Sequence, residues 1–120
     1  MTLYFEPFTI TGVIGTEVKA TQTLQSTAAE PKKLRGVLVE LNATAASNDD
    51  KIYVYDEREA ICNGVQRISF PAASVLQSVF IPCDHEIPDG HTVVAANKSG
   101  ATARDVTGGA YVYEILEKKK

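Results

Sequence analysis

The sequence predicts an all-β fold: a single antiparallel β-sandwich of about eight strands, connected as a jelly roll or a Greek key. Three observations lead there. Apolar residues recur with a period of two in segment after segment, which places alternate side chains on one face of a strand. Clusters of Gly, Pro, Asn and Asp separate these segments at the close, regular spacing of a sandwich or barrel. No stretch of helix length holds a 3.6-residue period. At 120 residues the chain encloses one core and is too short for two, so residues 1–120 are read as one domain.

The elements follow in order. In LYFEPFTITGV (3–13), Tyr4, Glu6, Phe8 and Ile10 share one face, and Pro7 marks an edge or bulge because it has no N–H to give a ladder. EVKATQTLQS (17–26) alternates Val18, Ala20, Gln22 and Leu24 against polar neighbours, as one half-buried strand does. LRGVLVELNAT (34–44) is apolar on both faces and belongs in the middle of a sheet, with Val37, Val39 and Leu41 on one side and Leu34 and Leu38 on the other. Gly36, inside that strand, signals a bulge or a close backbone approach.

ASNDDK (46–51) is dense in residues that close hydrogen bonds onto their own backbone, so it reads as a turn with Asp49 and Asp50 in solvent. KIYVYDE (51–57) sets Ile52 and Val54 against Tyr53 and Tyr55, and Asp56 to Glu59 read as solvated. EAICNGVQRISF (59–70) predicts two short strands hinged at Asn63-Gly64, with Gly64 defining the turn. Pro71 suits the start of a single helical turn. LQSVFIPC (76–83) and HTVVAANKS (91–99) are strands, GATARDVTGG (100–109) is a polar loop, and AYVYEIL (110–116) closes the chain.

IPCDHEIPDGH (81–91) concentrates most of the chain's potential ligand chemistry, including both histidines. Cys83 and His85 would point the same way from a strand. Their spacing to His91 and Cys62 nevertheless fits no zinc-site pattern. Pro88, Asp89 and Gly90 instead carry turn chemistry, Gly90 at the position that needs positive φ. The expectation is a metal-free reversal with Ile87 anchored inward, Asp84, Glu86 and Asp89 in solvent, and His91 opening the next strand. His85→Ala should then change little. Cys62 and Cys83 are expected as small buried apolar residues rather than a disulfide framework.

No nucleophile elbow, paired nucleophile and base, phosphate-cradling glycine pattern or cofactor motif is present, so no catalytic residue and no cofactor is assigned. A net charge of −3 gives no basic field to attract nucleic acid, and the strand tyrosines are interleaved with acids. Lys32, Lys33 and Arg35 read as solvated ends. No segment approaches the roughly 20 apolar residues of a transmembrane helix, and residues 1–20 show no secretory signal pattern. Tyr53, Tyr55, Tyr111 and Tyr113 remain as a candidate interface, because tyrosine combines apolar area with a hydrogen-bonding tip.

The segments PKKLRGVLVEL, DKIYVYDEREAI, IPCDHEIPDGHTV and GGAYVYEIL, in that order across residues 9–116, resemble the small single β-sandwich (jelly-roll-like) structural proteins of phages and archaeal viruses. The resemblance implies a non-enzymatic virion subunit: a capsid jelly roll, a penton or turret piece, or a decoration protein. It would assemble in the host cytoplasm as a homo-oligomer, a trimer or pentamer, beside other virion subunits. The alternative from the residues is a ligand- or carbohydrate-binding β-sandwich module.

Overall fold

The computed structural model describes residues 2–42, 47–62, 66–70, 76–100 and 103–116. These form ten strands: β1 (Tyr4–Ile10), β2 (Glu17–Lys19), β3 (Leu24–Gln25), β4 (Lys32–Asn42), β5 (Ser47–Asp56), β6 (Glu59–Ala60), β7 (Gln66–Phe70), β8 (Leu76–Glu86), β9 (Thr92–Lys98) and β10 (Val106–Ile115). Among the described residues there is no helix.

One sheet has the order β1-β10-β4-β8; the other runs β2-β9-β5-β6, with β3 also beside β9 and β7 also beside β5. All strand pairs are antiparallel. Since β2 and β3 lie along one edge of β9, and β6 and β7 along one edge of β5, the ten strands make eight arms. The first arm pairs with the eighth, the second with the seventh, the third with the sixth and the fourth with the fifth. That nesting is a jelly roll.

The core lies between the sheets. Phe8 and Ile10 of β1, Leu34, Val37, Val39 and Leu41 of β4, Ile52 and Val54 of β5, Ile81 of β8, Val93 and Ala95 of β9, and Val106 and Tyr111 of β10 are all buried in one cluster. β4 is central, as its two-sided apolarity predicts. Leu34, however, lies on the core side with Val37 rather than opposite it. The register slips between Leu34 and Gly36 against β8, and a bulge shifts the parity of every residue before it. Gly36 is also a close approach: a Cβ there would stand 2.2 Å from Phe80 Cζ and 2.9 Å from the Ile81 carbonyl oxygen.

Several expectations are corrected. The strand read over 17–26 is broken into β2 and β3, and the break coincides with Gln22, whose carbonyl accepts a hydrogen bond from the Tyr111 hydroxyl arriving from the other sheet. The turn expected at 46–51 is strand from Ser47 onward. β6 and β7 do not form a hairpin with each other; both pair with β5, and the reversal falls at Glu57-Arg58, with Glu57 at φ 55°. Gly64 and the Asn63-Gly64 hinge lie outside the described residues, as does Pro71. The last strand begins at Val106, within the segment read as a polar loop.

Candidate functional site

β8 alternates cleanly into the 81–91 segment. Ile81 and Cys83 pack on the core and Ile87 is buried within it, while Pro82, Asp84 and Glu86 are exposed. Cys83 is joined by a disulfide to Cys62, just past β6, with Cα atoms 4.8 Å apart. The expectation of two free thiols is therefore corrected: β8 and β6 are edge strands of opposite sheets, and the bridge staples that side of the sandwich. Neither cysteine is available as a thiolate.

The histidines are also engaged. His85 Nε2 lies 2.6 Å from Asp56 Oδ2, and His91 Nδ1 lies 2.8 Å from Asp56 Oδ1. The Asp56 side chain is 8% exposed, whereas those of His85 and His91 are 29% and 44% exposed. Asp56 is thus no solvated turn residue. One withdrawn carboxylate has each oxygen met by a different imidazole, which satisfies the buried acceptors and ties β5 to both ends of the 85–91 connection. Among the described residues, no group of three or more His, Cys, Asp or Glu is placed to hold a metal ion.

The reversal itself has the expected form. His91 N–H donates to the Pro88 carbonyl at 3.0 Å, closing the turn, and Gly90 sits at φ 81°. Gly90 N–H donates to the Ser26 carbonyl at 2.8 Å, and Ile87 N–H donates to the Lys32 carbonyl at 3.0 Å, so backbone bonds hold the loop at both ends. His91 directly precedes β9, which begins at Thr92. Asp84 is exposed beside Lys33 Nζ at 2.8 Å, and that hydrogen bond holds its carboxyl below the usual carboxylate range. Lys32 is not a solvated end: it is buried, and its Nζ donates to the Gln25 carbonyl at 2.7 Å.

The four tyrosines do not form one surface. Tyr111 lies in the core at 0% exposure, so it is corrected from an interface residue to an inter-sheet strut. Its hydroxyl donates to the Gln22 carbonyl at 2.7 Å and accepts from Ala95 N–H at 2.9 Å. Burial pushes its ionisation up to about 12. Tyr113 is half-buried against the core and stacks on Tyr4, with ring centroids 5.6 Å apart.

Tyr53 and Tyr55 are half-buried on the outward side of β5, opposite in parity to buried Ile52 and Val54. Their rings are parallel within 5°, with centroids 6.0 Å apart. Lys19 Nζ stands 5.3 Å from the Tyr55 centroid, and the Tyr55 hydroxyl donates to Glu17 Oε1 at 2.5 Å. Partial burial, then that carboxylate, raises the Tyr55 ionisation.

The larger candidate surface is the outward face of β1-β10-β4-β8. Directly opposed residues share a face, so the register gives two neighbouring rows. One is Phe5, Val112, Gly36 and Pro82; the other is Pro7, Ala110, Leu38 and Phe80. Every member is apolar or glycine; Val112 and Gly36, the latter beneath the Phe80 ring, are already buried, and the others are exposed or partly so. Phe5 is 60% exposed and Phe80 51%. Glu114, Lys33 and Glu86 form the row on one side, and Glu40 with Ser78 lies on the other. An apolar band with a polar rim is the anatomy of a contact surface. The sequence signal was available: proline, glycine, alanine and phenylalanine occupy the outward parity where solvent favours polar side chains.

No protein-family model, curated protein or solved structure matches the chain.

Proposed function

We propose that this chain is a non-enzymatic structural subunit of a viral particle, as a capsid jelly roll, a penton or turret piece, or a decoration protein, acting through repeated contacts with its own copies and with other virion subunits. The observation that carries the reading is the apolar band across all four strands of one outer face, set on a jelly roll. Phe5 and Phe80 cost solvation free energy when exposed and repay it when a partner covers them. The strand pattern that resembles virion sandwiches supports the same reading. A trimer or pentamer assembled in the host cytoplasm is the form the resemblance implies. Electron microscopy of the purified protein, with light scattering, tests it: rings, shells or regular oligomers are expected, and a monomer at every concentration would overturn it.

A second reading, a ligand- or carbohydrate-binding module, is favoured by one observation. Tyr53 and Tyr55 present parallel rings on the other outer face, flanked by Lys19 and Glu17. The stacked rings, with the Lys19 and Glu17 side chains beside them, offer ring edges and polar partners to a polyhydroxylated ligand. Binding to a glycan array that is lost in Tyr53→Ala and Tyr55→Ala would favour this reading over the first.

A further inference from the structure

Cys62 and Cys83 both line an open cavity of about 570 Å³, together with Ile61, Pro82, Asp84 and His85. That volume falls within the ~300–1,000 Å³ of small-molecule sites. The disulfide joining the two cysteines therefore lies against a concave, solvent-open surface, where edge strands β6 and β8 of opposite sheets meet. Its two ends differ. Cys83 is half-buried on β8, whereas Cys62 is 8% exposed and holds a left-handed backbone at φ 59°, which a Cβ disfavours. We infer that Cys83 is a thiol-exchange site: a low-molecular-weight thiol enters the cavity and captures Cys83 as a mixed disulfide, releasing Cys62. The site goes beyond the structural-subunit reading and holds whether or not that reading does.

The step is a balanced exchange. The thiolate of the small molecule attacks Cys83 Sγ, a new sulfur–sulfur bond forms there, and the Cys62–Cys83 bond breaks. Cys62 leaves as a thiolate and takes a proton from water. The small thiol is the reductant: its sulfur is oxidised into the mixed disulfide as the Cys62 sulfur is reduced. Which sulfur is attacked depends on access, and Cys83 is the more open of the two. Departure of Cys62 also removes the tether on its left-handed backbone. Cys62 then relaxes towards an ordinary conformation, which disfavours its return to Cys83.

The surroundings admit an anionic thiol. The Asp84 carboxylate at the cavity is offset by Lys33 Nζ at 2.8 Å and Arg35 Nη1 at 3.3 Å. The Asp56 carboxylate that holds His85 is itself met by a second imidazole, that of His91. The release of Cys62 is local. β6 keeps its pairing with β5 at Tyr55–Ala60 and Asp56–Glu59, and Ile61 N–H keeps its bond to the Val54 carbonyl at 2.8 Å. The sandwich therefore stays folded while the covalent tie between its sheets opens, and oxidation of the released pair closes it again.

The test treats the full oxidised chain with reduced glutathione in native buffer, quenches with an alkylating agent, and reads intact mass and a peptide map. One glutathione per chain is expected, on Cys83, with the alkyl group on Cys62 and the circular dichroism unchanged. The rate should change by less than about twofold in urea below the unfolding transition, because local access suffices. Exchange that required global unfolding would instead quicken by about fivefold or more per molar urea. Cys62→Ser, which leaves Cys83 as the only thiol, should take up glutathione from oxidised glutathione while folded. If that variant does not fold, the adduct position and the urea slope of the wild-type chain decide alone. A rate that follows global unfolding, glutathione found mainly on Cys62, no adduct at any time, or a folded Cys62→Ser chain that takes up none overturns the inference.

Discussion

Asp50 and Arg104 form an ion pair from which solvent is excluded: Arg104 Nη1 stands 3.3 Å from Asp50 Oδ2, and both side chains are 0% exposed. Asp50 Oδ1 also accepts from Gly100 N–H at 3.2 Å, and the Arg104 carbonyl accepts from Asn97 Nδ2 at 2.8 Å. The pair thus fastens β5 to the chain between β9 and β10. Removing the carboxylate takes from the buried guanidinium a counter-ion that it lies against. Asp50→Ala should therefore cost about 3–5 kcal/mol in urea unfolding. Replacing both, as Asp50→Leu with Arg104→Met, should cost clearly less than the single change, because neither buried charge remains.

The Tyr111 strut makes a pH prediction. Its folded ionisation lies at about 12 and its unfolded value at 10.0. A group whose folded value is raised stabilises fully below the unfolded value, and that contribution is lost as pH rises from 10 towards 12. The loss should amount to roughly 2–3 kcal/mol. Chemical denaturation between pH 9 and 12 checks it. Tyr111→Phe should start less stable, since Ala95 N–H and the Gln22 carbonyl lose their partner, but should show a shallower alkaline decline.

The Cys62–Cys83 disulfide closes a loop with a sequence separation of 21. Loop-closure entropy for that length predicts a contribution of about 3 kcal/mol. Reduction with a dithiol, or Cys62→Ser with Cys83→Ser, should lower the denaturation midpoint accordingly. The fold should survive, because the core strands do not depend on the bridge. An unchanged midpoint on complete reduction, verified by thiol titration, would contradict the prediction.

These features mark the boundary of what could be read in the sequence. Period two gave the strands and the central place of β4, and turn chemistry gave the Pro88 to Gly90 reversal, because both are local. Asp50 and Asp56 were misread by residue type, although each shares the parity of Ile52 and Val54 and so points inward with them. Extending the alternation through the charged residues would have placed both correctly. Their partners could not be found that way: Arg104 is 54 residues from Asp50, His85 is 29 from Asp56, and such contacts depend on how the sheets stack. The disulfide is non-local in the same sense. Tyr111 was misread for the opposite reason, since a polar tip suggested surface while two backbone partners inside the sandwich satisfy it.

The Asp56 clasp yields the last prediction. With His85 replaced by alanine, Asp56 Oδ2 loses its imidazole in a side chain only 8% exposed, while Oδ1 keeps His91. A buried acceptor left without a donor costs about 1–3 kcal/mol, so His85→Ala should destabilise by that amount rather than be silent. His91→Ala alone should cost somewhat less, because its side chain is 44% exposed and water can replace it. Together the two changes strip the carboxylate of both imidazoles, and the double variant should exceed the sum of the singles by 0.5 kcal/mol or more, as members of one network do. Gly90→Ala provides the contrast. A Cβ there meets nothing within 4 Å, so its cost of about 1 kcal/mol comes from φ 81° alone. Thermal or urea unfolding of the four variants separates the cases: coupling between His85 and His91 supports the clasp, and strict additivity would show that the two histidines act independently.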